Sequence, residues 1–199
     1  AGLYTIVALT NQSKGARGAS VFLVDDDTPG FSVGKKETKM GIRASSTTEI
    51  IFRDCLIPHK NLIGKEGMGF IITMQLLDRS RPGIGAQAVG LAQGALEAAS
   101  DYAQQRVQFG HPIFAIQAVQ HLLADMAVQT EAARALVYTA ARTIDSGAKN
   151  VSAASAMAKV FASDVAMRVT SDAIQVMGGA GYMRDYPVEK MMRDAKITQ

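Results

Sequence analysis

From Gly69 onward the apolar residues of this 199-residue chain recur at three- and four-residue spacing, the period of a helix rather than a strand. Phe70, Ile71, Met74, Leu77, Val89, Leu91 and Leu96 mark the first such face. Asp78-Arg-Ser-Arg-Pro82 interrupts it. A proline inside a helix loses a backbone hydrogen bond and clashes with the preceding turn, at about 3 kcal/mol. The pattern therefore predicts one helix over residues 69–77 and another starting at Asp78, with Asp78 as its N-cap, running to about residue 108. Phe109-Gly-His-Pro112 breaks that helix. A third spans about residues 116–144, carrying Val119, Leu122, Leu123, Met126, Ala133, Leu136, Val137 and Ala140, and Asp145-Ser-Gly147 stops it. A fourth covers about residues 152–177 and a short fifth about 187–196. Long helices joined by short connectors fold as an up-and-down four-helix bundle.

The residues before this run read as β structure. Strands are expected at residues 3–10, 19–25, 31–33 and 47–52, separated by the polar stretch 11–18 and the turn Asp27-Thr-Pro-Gly30. Four short strands are too few to close a barrel, so the sheet is expected to continue before Ala1. A connector at residues 57–66, containing Pro58, separates the two patterns. The predicted class is α+β: a partial antiparallel β domain over residues 1–57, then the helical bundle domain over 58–199. The chain opens without a methionine and closes without a cap, which predicts a piece of a longer protein.

Composition excludes several functions. The net charge is only +3, with acidic residues scattered among basic ones, so a pI near 9.0 does not make a nucleic-acid surface. Cys55 is alone, and His59, His111 and His121 lack metal-ligand spacing. No apolar run reaches membrane-spanning length and no signal peptide opens the chain, which predicts no membrane insertion and a reducing interior compartment.

Near the C-terminus a helical pattern runs into Gly178, Gly179 and Gly181. Each glycine costs a helix interior about 1 kcal/mol relative to alanine, so the helix ends there. Tyr186-Pro187 restarts one, since proline at the first helical position forfeits no needed hydrogen bond. Such a turn is either a plain glycine cap or a place where a phosphate or flat ring approaches bare backbone. Likewise Arg106 reads either as a solvated helix-end cation or as a phosphate fork, and Phe109 as a buried cap residue. Asp78 and Arg81, three apart, could simply pair.

Gln175-Val-Met-Gly-Gly-Ala-Gly-Tyr182, then Tyr186-Pro187, then Met192-Arg-Asp-Ala-Lys-Ile197 resemble, in order, the C-terminal region of acyl-CoA dehydrogenases, flavoenzymes that desaturate acyl-CoA thioesters. The resemblance extends upstream to Arg106-Val-Gln-Phe-Gly110 with Gln117, to Asp78-Arg-Ser-Arg81, and to the Asn61–Gly69 linker. It implies FAD as cofactor, bound between subunits by Arg106, Gln108, Phe109 and Gln117 together with Gln175, Val176, Met177, Gly178 and Gly179. It further implies an acyl-CoA substrate met by Asp78 and Arg81, an electron-transfer flavoprotein as partner and a homotetramer. The compartment implied is the bacterial cytoplasm or the mitochondrial matrix.

In most of the family the catalytic glutamate follows directly after the segment ending here at Gln199, and a minority carries it at the position of Ser80. No residue of this chain is therefore assigned as the base. The alternatives are a flavin oxidase or monooxygenase on the same fold, and a non-catalytic helical association module.

Overall fold

A computed structural model of the chain describes all residues, Ala1–Gln199. The chain divides into two compact units, Ala1–Thr38 with Arg43–Leu77, and Lys39–Ile42 with Asp78–Gln199.

The first unit is built on small antiparallel sheets. Strands β1 (Leu3–Leu9) and β2 (Ala19–Asp25) pair from Leu3↔Asp25 to Leu9↔Ala19, and the two-residue β5 (Leu62–Ile63) adds to the other edge of β2. The central strand β2 is accordingly the buried one, with Ala19, Ser20, Val21 and Val24 enclosed. Strands β3 (Phe31–Lys36) and β4 (Thr48–Phe52) form a second antiparallel pair, with an irregularity between Val33 and Lys36. The rings of Tyr4, Phe31 and Phe52 tie the two sheets, with centroids 4.7 and 5.3 Å apart. The expected strands are all present. The stretch expected as a polar loop is instead a 3-10 segment, Gln12–Gly18.

The helical unit corrects one expectation. Helix α1 (Gly69–Gln105) is continuous, with Pro82 inside it, rather than two helices meeting at Asp78. One forfeited hydrogen bond is outweighed by packing, because most helical stability in proteins comes from the buried face. In α1 that face is Ala88, Val89, Ala92, Ala95, Ala99 and Ala103, spaced by three and four residues and fully enclosed or nearly so. Asp78 is not a cap. Its carboxylate accepts from the Arg81 guanidinium at 2.5 Å and from the Ser152 hydroxyl at 3.0 Å.

α1 also ends at Gln105, short of the expected 108. A tight hairpin follows, β6 (Val107–Gln108) and β7 (His111–Pro112). Helices α2 (Gln117–Asp145) and α3 (Ser152–Met177) complete the long members, and α4 (Val188–Ala195) is the short one. Small residues let these helices approach closely. A Cβ on Gly85 would lie 2.9 Å from the Val137 side chain of α2 and 3.3 Å from the Ala158 carbonyl of α3. The core is alanine-rich for this reason, with Ala133 and Ala140 of α2 and Ala158, Ala162, Ala166 and Ala173 of α3 buried. Buried Thr130 and Thr170 direct their hydroxyls to the carbonyls of Met126 and Ala166, four residues back.

No helix is long and apolar enough to cross a membrane, and no cluster of histidine, cysteine or carboxylate side chains could hold a metal ion.

Candidate functional site

The site of interest lies within the helical unit, where the end of α1 meets the end of α3. Helix α1 stops because the chain turns into the β6–β7 hairpin. The Arg106 amide closes the last turn on the Tyr102 carbonyl at 2.8 Å, and the Arg106 carbonyl accepts from Ile113 at 2.8 Å. The two central residues of the hairpin, Phe109 (φ 54°) and Gly110 (φ 85°), both lie in the left-handed region, as a two-residue type I′ turn requires. Glycine does this freely, while an aromatic residue there carries backbone strain. Phe109 is 87% exposed, so it is not the buried cap residue that its surroundings in sequence allow.

Helix α3 stops at Gly178, whose φ of 57° and ψ of −135° suit glycine alone. The Gly178 amide donates to the Gln175 carbonyl, and a 3-10 turn (Gly178–Tyr182) follows. A Cβ on Gly178 or Gly179 would meet nothing within 4 Å, so their backbone faces open space. Gly181 is different, since a Cβ there would lie 2.8 Å from the Ile174 carbonyl. The triplet thus has two open glycines and one that packs.

An open groove of about 450 Å³ joins these two ends. It brings together Arg106 and Gln108 from the first and Val176, Met177, Gly178 and Gly179 from the second. Tyr102 and Tyr186, neither of them expected as a site residue, form its aromatic part, with rings edge-to-face at 5.8 Å and 87°. Their only sequence signals are an i−4 position to Arg106 and a place just before Pro187. The Arg106 side chain is exposed and makes no ion pair or hydrogen bond. An unpaired guanidinium, a side-chain amide, bare glycine backbone and two rings suit a ligand with a phosphate and a flat ring. The residues present therefore fit a flavin or adenine dinucleotide.

Gln117, Phe109 and Gln175 are not among the residues lining the groove. Gln117 opens α2, and the Gln175 side chain is exposed. Asp78 and Arg81 lie elsewhere on α1, half-buried and paired with each other. No carboxylate lines the groove. Glu97 accepts from Gln93, Glu131 pairs with Arg134, and Glu189 holds Arg193 through two bonds of 2.7 and 2.9 Å.

The Met192–Ile197 motif has a use that the geometry makes plain. The Asp194 carboxylate, buried beside the start of the last turn, accepts the Ile42 amide at 2.6 Å and the Lys190 ammonium at 2.5 Å. Arg193 donates to the Met40 carbonyl at 2.8 Å. Gly41 runs so close to α4 that a Cβ would lie 2.2 Å from the Arg193 carbonyl. Arginine and aspartate of the motif thus strap Lys39–Ile42 onto α4. Burial works to raise the Asp194 pKa, but the bonds from Lys190 and the Ile42 amide outweigh it and hold the carboxyl below its ordinary value.

Residues 67–199 match the family model for the acyl-CoA dehydrogenase C-terminal domain, and residues 1–55 match the one for the middle domain. The chain belongs to the acyl-CoA dehydrogenase family. It is 55% identical over 98% of its length to the probable acyl-CoA dehydrogenase FadE25 of Mycobacterium tuberculosis, covering 50% of that protein. Among solved structures, butyryl-CoA dehydrogenase from Megasphaera elsdenii superposes with a TM-score of 0.98 at 51% identity, over 100% of this chain and 52% of that one. A structure described as the electron transferring flavoprotein of Acidaminococcus fermentans gives a TM-score of 0.98 at 54% identity, again over 100% and 52%. The chain spans about half the length of the curated relatives it matches. The two family models meet this chain as successive domains, and the acyl-CoA dehydrogenase fold accounts for its sheets and bundle together.

Proposed function

We propose that the protein to which these residues belong is an FAD-dependent acyl-CoA dehydrogenase that introduces an α,β double bond into acyl-CoA thioesters. The observation that carries this reading is the groove uniting Arg106 and Gln108 with Val176, Met177, Gly178 and Gly179, segments some seventy residues apart in a chain of this family. FAD, when bound, supplies the hydride acceptor. Arg106 holds a phosphate through its guanidinium, Gln108 and Gln117 offer amides to the nucleotide, and Gly178 and Gly179 let it approach the main chain. Phe109 and Gln175 complete the cofactor contacts from the hairpin tip and the end of α3.

Asp78 and Arg81 are assigned to the acyl-CoA. Their mutual ion pair fixes both side chains on one face of α1, and the Ser152 hydroxyl steadies Asp78. No carboxylate of this chain is assigned as the base, and Ser80 cannot serve as one, having no carboxylate to accept a proton. Residues 1–57 act as part of the middle β domain and 58–199 as the bundle domain. An electron-transfer flavoprotein would be the partner that takes up the reducing equivalents. A homotetramer in the bacterial cytoplasm or mitochondrial matrix fits the family's habit.

The visible spectrum of the full-length protein tests this. Flavin bands that bleach on anaerobic addition of butyryl-CoA or a longer acyl-CoA, and return slowly in air, are expected. Rapid return in air would replace the dehydrogenase by an oxidase, and a colourless protein that takes up no FAD would leave a helical association module.

A further inference from the structure

Asp194 is the one charged residue buried in this chain, and it lies outside the groove where α1 and α3 end. None of the contacts assigned above to the cofactor or the acyl-CoA uses it. It nevertheless reaches the groove through α4. We propose that the strap Lys39–Ile42, fastened by Asp194 and Arg193, sets the position of Tyr186 in the groove wall, which makes Asp194 a positioning residue for the ligand bound there. This rests on the reading of the groove as the FAD site.

Helix α4 has only eight residues, and a helix shorter than about 12 residues is marginal by itself, so its place is decided by what holds it. One side is packed. Val188 and Ala195 are fully buried, and a Cβ on Gly94 of α1 would lie 3.2 Å from the Met191 methyl. The last turn is tied by direction as well. The Ile42 amide donates to Asp194 at 2.6 Å and Arg193 donates to the Met40 carbonyl at 2.8 Å, so two hydrogen bonds grip the backbone on either side of Gly41. A buried carboxylate is a poor choice for stability alone, because much of its bonding repays its lost hydration. What it supplies is a single geometry, since its oxygens accept only where a donor points at them.

The first turn of α4 carries that position to the groove. Tyr186 stands immediately before Pro187, whose ring fixes its own φ, here −76°, and restricts the residue ahead of it. The Met191 amide donates to the Pro187 carbonyl at 3.1 Å, so the proline is held to the helix and the Tyr186 backbone follows it with little slack. The Tyr186 ring is 37% exposed, with its contact to Tyr102 edge-to-face at 5.8 Å and the groove open beside it. Such a pair depends on the angle between its rings. Tyr102 belongs to α1, four residues before Arg106, and does not move with α4. A shift of α4 therefore turns one wall of the groove against the other, beside Gly178 and Gly179. A binding site whose walls are fixed in advance loses less entropy on taking its ligand.

Two measurements on the full-length protein test this: amide hydrogen exchange, and the affinity for FAD from the flavin released on dilution. Asp194→Ala should speed exchange along α4 as far as residues 186–189 and in the turn at 178–182, with α2 exchanging as in the parent. It should weaken FAD by about tenfold, and Asp194→Asn, which keeps an acceptor for the Ile42 amide, should weaken it less. Tyr186→Leu should also weaken FAD and leave Asp194→Ala little more to remove, so the double variant falls short of the product of the two single losses. The proposal is overturned if faster exchange stays within residues 39–42 and 192–199 while FAD affinity is unchanged, if exchange rises equally in α2, or if the two losses multiply in the double variant. A parent that takes up no FAD refutes the flavin reading instead. The exchange pattern then decides the strap alone: spread to residues 178–189 upholds it, and confinement to the last turn refutes it.

Discussion

Replacing Asp194 by alanine should loosen the strap that Lys39–Ile42 makes across α4. The side chain is only 6% exposed and accepts a backbone amide at 2.6 Å, so alanine leaves the Ile42 N–H without its charged partner. A hydrogen bond to a charged group contributes about 1.5–3 kcal/mol. The Lys190 contact adds less than about 1 kcal/mol, because the ammonium is 67% exposed and screened by solvent. Ile42 sits at φ 46°, which a β-branched residue adopts only when its surroundings impose it, so some of the loss is recovered as that residue relaxes. The expected cost is about 2 kcal/mol. Asp194→Asn keeps an acceptor oxygen for the Ile42 amide and should cost about 1 kcal/mol. Urea unfolding followed by helical dichroism at neutral pH measures both, as a shift in midpoint at constant slope. The acid limb gives a further check. The folded pKa of Asp194 is depressed, so its contribution is complete above the unfolded value of about 3.9 and fades as pH falls through the folded one. Parent and alanine variant should converge there. Asparagine proving as costly as alanine would refute the reasoning, because the carboxylate's charge rather than its acceptor role would then hold the strap.

Three other substitutions separate the effects seen in the helical unit. Asp172 has its pKa raised, by burial first and by the nearby Asp125 charge, against the pull of Arg168. Its ionised form therefore burdens the fold once pH rises through the folded pKa, and Asp172→Asn should raise the urea midpoint at pH 7 but not below the unfolded value of about 3.9. Ser155 is fully buried with a hydroxyl that has no partner, so Ser155→Ala should stabilise the protein by about 1 kcal/mol in the same assay. Gly178→Ala should destabilise by about 1–3 kcal/mol through backbone strain alone, since its Cβ would meet nothing; a loss of FAD without loss of stability would instead mark Gly178 as a contact and not a bend.

Much of this architecture was legible in the chain because its signals are local. The strand at residues 3–9, the turn at Asp27–Gly30, the stop at Gly147 and the glycine end of α3 each follow from what a residue does to its own backbone. The Gly178–Gly179 segment and Arg106 were visible in the chain as a helix end and a helix-end cation, but composition allowed a plain cap and a solvated charge, and only the resemblance to acyl-CoA dehydrogenases made them candidates. Local rules failed where packing overrode them. Pro82 ought to end a helix, yet the alanine face that runs from Ala88 to Ala103 is buried along about four turns, and that burial exceeds the loss of one hydrogen bond. Tertiary structure also decided what no spacing could show. Asp194 finds Ile42 across 152 positions, Arg193 finds Met40 across 153, and Tyr102 meets Tyr186 because two helix ends converge. Periodicity fixes which face of an element is apolar, but which partner that face meets depends on the path of the whole chain.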